Sequence, residues 1–203
     1  MTEEPDARRV PAREGHSAVR EKASRFLGVA ARASSRSAAE SLLDALRRRH
    51  HDATHVAFAW KIGAGAALSR RRSDAGEPAG TAGAPIASAI EASGLTDVLT
   101  AVVRYFGGTR LGTGGLARAY RRAAEEAIEA GGSETVYDTA RVAVRCAFGR
   151  VGAVRRLIRP PEVRLVEERF DEKAEIVVEV RRSRLEPLLA RLEEQRLDYR
   201  IGD

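Results

Sequence analysis

Apolar positions along the chain fall into short blocks whose spacing changes repeatedly between two residues and three to four, the pattern of a mixed α and β protein. Val98 to Phe106 is an almost unbroken apolar and β-branched run, which predicts a strand buried on both faces with Arg104 as its one charged interruption. Leu116, Tyr120, Ala123 and Ala127 then recur at helical spacing and predict a helix from Leu116 to Ala130, ended by Gly131 and Gly132. Between strand and helix, Gly107 to Gly115 holds five glycines and reads as a loop whose backbone can turn sharply and leave N–H groups open.

Upstream, Lys22 to Ala31 predicts a strand around Phe26, Leu27 and Val29, paired with a short strand near Ala18 and Val19. Ser37 and Glu40 form an S-x-x-E capping box before Leu42, Leu43 and Leu46, and Arg47 to Arg49 close that helix where cations favour the dipole. His55 to Ile62 alternates strictly, with Val56, Phe58, Trp60 and Ile62 on a core face and His55, Ala57, Ala59 and Lys61 facing a helix or an open groove. Gly63 to Arg72 reads as a mobile loop. Asp74 to Pro85 is too rich in glycine and proline for regular structure, and Pro85 opens a short helix through Ala92. Met1 to His16 has no periodicity and predicts a disordered leader, residues 1–16.

The C-terminal part has its own rhythm. Thr139 to Cys146 alternates as a strand, and Val151, Val154, Leu157 and Ile158 mark a helix stopped by Pro160 and Pro161. Val163 to Val166 and Ala174 to Val180 predict two strands joined through Asp171 to Lys173, Leu185 to Leu192 a second helix, and Leu197 to Ile201 a last strand. The order β-α-β-β-α-β is that of a ferredoxin-like domain. The expectation is therefore an α+β protein of two domains, 17–134 and 138–203.

Composition narrows function more than fold. A net charge of +6 and a pI near 10.1 invite a nucleic-acid reading. The first 50 residues carry 11 basic against 7 acidic side chains and the remainder is nearly balanced, so charge alone argues weakly. Nothing resembles a signal peptide or a membrane span, and a cytoplasmic location is the default. The single cysteine, Cys146, excludes an intrachain disulfide and a cysteine zinc cluster. His50, His51 and His55 lack a fourth ligand at metal spacing, so no metal site is expected. No nucleophile and base pair stands out, which favours binding over catalysis and leaves no catalytic residue to name.

The chemistry concentrates around the glycine loop. Gly107, Gly108, Gly112, Gly114 and Gly115, with Arg104, Arg110, Arg118 and Arg122 around them, fit a surface for phosphates, on a nucleotide or a nucleic-acid backbone. The competing reading makes the glycines a tight crossover and pairs the arginines with Glu125, Glu126 or other carboxylates. A Walker loop is excluded, because no GK[ST] ends the motif. Gly112, Gly114 and Ala117 match GxGxx[GA] literally, but the acidic residue expected roughly 20 residues on has no good candidate. Asp74, Glu77 and Thr81 on the second special loop either hold Mg²⁺ beside a phosphate or brace the glycine loop by pairing with Arg104 or Arg110. Bracing is the preferred reading, and His55 is expected hydrogen-bonded near the same face.

Two blocks, YFGGTRLGTGGLARAY and SDAGEPAGTAGAP, carry a resemblance to the IMPACT/YigZ family. The likeness extends more loosely through KASRFLG and ATHVAFAWKIG. The family typically reads DDGEP where this chain has Asp74 followed by Ala75, which puts any role of paired carboxylates there in doubt. The resemblance implies a left-handed β-α-β domain similar to domain IV of elongation factor G, followed by a ferredoxin-like domain similar to its domain V. Both contact ribosomal RNA in that factor, and eukaryotic relatives regulate translation. It implies for this chain a translation-associated regulatory protein that binds RNA or ribosomes; apart from the resemblance, no cofactor is expected, a protein partner is left open, and a monomer is favoured with the oligomeric state not fixed by the sequence. The alternatives are a nucleotide- or phosphate-binding enzyme with Mg²⁺ at Asp74 and Glu77, and a protein-interaction module using the C-terminal sheet.

Overall fold

Where a disordered leader is predicted, Ala7–Pro11 forms strand β1, paired with β7 (Ser133–Tyr137). Residues 5–202 are described by the computed structural model, so the first four residues of that leader lie outside it. Val10 is completely buried, and Gly15 already opens β2 (Gly15–Glu21). So short a strand carries no readable period, and the turn after it is tied to the far end of the unit: the Arg13 amide donates to the Gly131 carbonyl at 3.2 Å. Two compact units result, one of Arg9–Thr135 and one that joins 136–202 to the segment before Arg9.

In the first unit, β3 (Ser24–Arg32), α1 (Arg36–Arg49), β4 (His55–Ile62), β5 (Ser69–Ser73), α2 (Gly83–Ser93), β6 (Val98–Tyr105) and α3 (Gly112–Gly131) follow β2. The sheet order is β2-β3-β6-β4-β5. Both β3 and β4 run antiparallel to β6 between them, so the crossover through α1 joins two parallel strands around a third. Central β6 is buried on both faces along Val98–Arg104, as its unbroken apolar run predicts.

Each face has its own helices. Leu43 and Leu46 of α1 pack with Val29, Phe58, Trp60 and Leu99. On the other face Ile86 and Ile90 of α2 and Tyr120 and Ala123 of α3 cover Phe26, Val98 and Val102. The Phe26 and Tyr120 rings meet edge to face, 5.1 Å apart, a geometry that adds ~1 kcal/mol to the burial itself. Helix α3 comes so close to β3 that a Cβ on Gly28 would lie 2.3 Å from the Ala123 carbonyl oxygen.

Three local expectations are corrected. The cap of α1 is Ser35, whose hydroxyl accepts from the Ala38 amide at 3.1 Å, rather than Ser37. Ser69–Ser73, expected as mobile loop, is an edge strand on β4. Three successive arginines hide it from a period search, yet Arg71 supplies the packing by lying 5.3 Å over the Trp60 ring, and charge suits an edge. Finally, α3 begins at Gly112, four residues before the predicted Leu116, because glycines at an exposed first turn cost little that packing must recover.

The second unit holds β8 (Thr139–Cys146), α4 (Val151–Arg155), β9 (Val163–Phe170), β10 (Ala174–Arg181), α5 (Arg182–Glu194) and β11 (Asp198–Gly202). Its sheet order β11-β8-β10-β9, antiparallel throughout, is the ferredoxin-like arrangement. One face is apolar, with Val142, Val144, Ile176 and Val178 against Leu188, Leu189 and Leu192; buried Cys146 belongs to it. The other face carries ion pairs: Glu175 receives Arg145 at 2.7 Å and Arg200 at 3.0 Å. The chain is thus an α+β protein of two domains, and among its described residues no helix is long and apolar enough to cross a membrane.

Candidate functional site

Strand β6 delivers Arg104 to the α2/α3 side of the sheet, where it is 5% exposed. Its Nη1 donates to Glu77 Oε1 at 2.6 Å, and the Tyr120 hydroxyl donates to the same oxygen at 2.7 Å. The guanidinium also sits between two rings, 5.4 Å from the centroid of Phe26 and 5.3 Å from that of Phe106. The expectation that Arg104 meets phosphate is thereby corrected: a buried guanidinium already matched to a carboxylate has no surface to offer. It anchors Glu77, and with it the loop from Asp74 to Pro85, on β6. Burial and the negative charge of Glu77 hold the Tyr120 hydroxyl far above its ordinary pKa, so it stays a proton donor.

The remaining residues of that loop are fastened internally as well. Asp74 Oδ1 accepts from the amides of Ala82 at 3.0 Å and Gly83 at 2.8 Å, and Oδ2 accepts from Gly80 at 3.0 Å. Burial opposes its charge, but these amides and Arg72 outweigh that effect and hold the carboxyl below its ordinary value. Asp74 therefore caps α2, whose own N-cap position is Ala82 and supplies no side-chain bond. Thr81 closes its own turn through Pro78 O at 2.7 Å. His55 Nδ1 lies 2.8 Å from the Ala75 carbonyl; a carbonyl only accepts, so Nδ1 carries the proton.

This geometry corrects the Mg²⁺ alternative at Asp74 and Glu77. Both oxygens of Asp74 are taken by amides, and a divalent cation at Glu77 would face the Arg104 guanidinium. At Ala75 the group engaged is the main-chain carbonyl, which any residue supplies, against His55 Nδ1.

The glycine loop is different. Gly107 to Arg110 and Gly112 to Gly114 are exposed. Gly108 and Gly112 have φ of +83° and +70° with no atom near an added Cβ, so conformation rather than crowding selects glycine there. Gly107 is instead packed, its added Cβ falling 1.9 Å from the Ala23 carbonyl oxygen, and its amide donates to Ser24 Oγ at 3.3 Å. The first turn of α3 has no side-chain cap and no acidic residue. Arg110 and Arg118 are exposed and make no ion pair among the described residues. Arg122, four residues on from Arg118, is held by Glu126 at 2.8 Å and Arg121 by Glu125, so the competing pairing applies to that end of the helix.

Sequence reasoning placed Tyr120 on a helix and Lys22 at the start of a strand but gave neither a chemical role, and passed over Ser24. Tyr120 gave a signal, since a tyrosine within a buried alanine stripe needs a partner for its hydroxyl. Lys22, on the β2–β3 turn, gave none; its Nζ donates to the Arg110 carbonyl at 3.4 Å and adds a third cation to the loop.

Residues 22–128 match the Impact N-terminal domain, and residues 144–195 match a domain of unknown function, DUF1949. An IMPACT family member from Thermus thermophilus is 46% identical over 67% of this chain and 72% of that protein. The Escherichia coli IMPACT family member YigZ is 33% identical over 68% of each. A crystal structure of a hypothetical protein superposes with a TM-score of 0.69 at 26% identity, over 96% of both chains. The chain belongs to the IMPACT family.

Proposed function

We propose that this protein is a translation-associated regulator that binds RNA or ribosomes through the phosphate backbone, using the loop Gly107–Leu111, the first turn of α3, and Arg110, Arg118 and Lys22. The observation that supports this reading is a contrast of charges. Arg110, Arg118 and Lys22 around the glycine loop make no ion pair among the described residues, whereas Arg121 and Arg122 further along α3 are held by Glu125 and Glu126, and the uncapped N-terminus of α3 adds its positive end to the loop cations. A setting in translation and a cytoplasmic site of action are part of this proposal, in line with what the family resemblance implies.

Full-length protein titrated onto fluorescein-labelled structured RNA over a salt series tests the reading. Binding should weaken linearly on a logarithmic salt scale, and Arg110→Ala with Arg118→Ala should reduce that slope by roughly 1.5. Salt-independent binding, or a slope untouched by the double variant, overturns it.

A further inference from the structure

Resting on that reading of the loop, we propose that Phe106 is a stacking platform for an unpaired nucleobase, so that the preferred ligand is single-stranded or looped RNA rather than duplex. Phe106 follows directly on β6, whose Val98–Arg104 are buried, yet it is 46% exposed. It is not loose: its amide donates to Thr54 Oγ1 at 3.0 Å. The Arg104 guanidinium, fixed by Glu77, lies 5.3 Å from the ring centroid, so a buried cation backs the ring while almost half of the residue faces solvent.

What the ring can receive is set by its neighbours. Gly107 follows immediately, and Arg110 stands on the same loop and Arg118 on the helix that follows it, neither in an ion pair among the described residues. A planar apolar face beside cations matches a nucleotide, whose base stacks while its phosphate meets guanidinium. In a duplex the bases are already stacked and paired, so no free base face remains for the ring, and contact is made to phosphates and 2′-hydroxyls. An acidic peptide would satisfy the cations but leave the ring without a flat partner.

The test compares fluorescein-labelled oligouridylate with an RNA duplex of equal length, using the whole chain. Phe106→Ala should weaken oligouridylate binding about tenfold or more, leave duplex binding and both salt slopes unchanged, and leave the thermal melt within a few degrees. Phe106→Trp should restore binding, and its indole emission should be quenched on adding oligouridylate, because the native Trp60 is buried on the other face of the sheet. If Phe106→Ala binds oligouridylate as tightly as wild type while Arg110→Ala with Arg118→Ala does not, the stacking role is wrong and the phosphate reading survives. Equal loss on both ligands reassigns Phe106 to holding the loop. Absence of any RNA binding removes both proposals, and displacement by polyglutamate but not by oligouridylate points to an acidic protein segment instead.

Discussion

Arg104 and Glu77 form an ion pair at 2.6 Å with side chains only 6% and 3% exposed. Removing both charges from water is costly, and breaking a pair of this kind by truncating one member typically costs about 3–5 kcal/mol, since the survivor stays buried and unmatched. Glu77→Ala and Arg104→Ala should each lose stability in that range in urea denaturation. A double change to Glu77→Leu with Arg104→Met should lose much less than the sum of the two. Additive losses would show that the pair is not the unit that matters.

Tyr120 gives a prediction with a defined pH window. Its folded pKa is raised above that of an unfolded tyrosine, near 10. The native state therefore holds its proton where the unfolded state releases it, and stability is complete below about pH 10 and falls as pH rises above it. Tyr120→Phe should lose about 1.5–3 kcal/mol at neutral pH, as expected for a hydrogen bond to a charged group, and should flatten the alkaline decline of Tm. An unchanged alkaline limb in the variant would refute the assignment.

Asp74 acts at the other end of the scale. Its folded pKa lies below the unfolded value, so the stability it contributes is present above the ordinary carboxylate range and lost as pH falls through its folded pKa. Asp74→Ala should cost about 0.5–2 kcal/mol at neutral pH, the usual effect of a lost helix cap. Asp74→Asn, which keeps an acceptor, should cost less at pH 7 and remove part of the acid sensitivity; equal costs for the two would count against capping.

Two glycines separate crowding from conformation. Gly28→Ala forces a Cβ to 2.3 Å from the main chain of α3, which must move the helix and should cost roughly 3 kcal/mol or more. Gly112→Ala meets no atom and needs only φ of +70°, a change worth about 1–2 kcal/mol. Chemical denaturation ranks them, and a larger loss at Gly112 would reverse the explanation.

Elements whose burial follows from their own side chains were legible in the sequence: β6 from its unbroken apolar run, β4 and β8 from alternation, α5 from its leucines. Elements held by remote partners were not. Strand β1 depends on β7, and β5 depends on β4 and on an arginine lying over Trp60. The candidate site divides in the same way. Glycine content and nearby arginines marked the loop, whereas which arginines were committed could not be read from spacing. Arg104 and Arg118 look equivalent along the chain; only the fold places Glu77 beside the first and leaves the second without an ion pair among the described residues.

The side chain of Arg8 meets Asp138, 130 positions further along, at the point where β1 pairs with β7. During synthesis at about 5–20 residues per second, this early segment waits for several seconds, on the order of ten, before its mate leaves the exit tunnel. For that interval the nascent chain exposes Val10 and an unpaired backbone, and the ribbon closes only once Ser133–Tyr137 has been made.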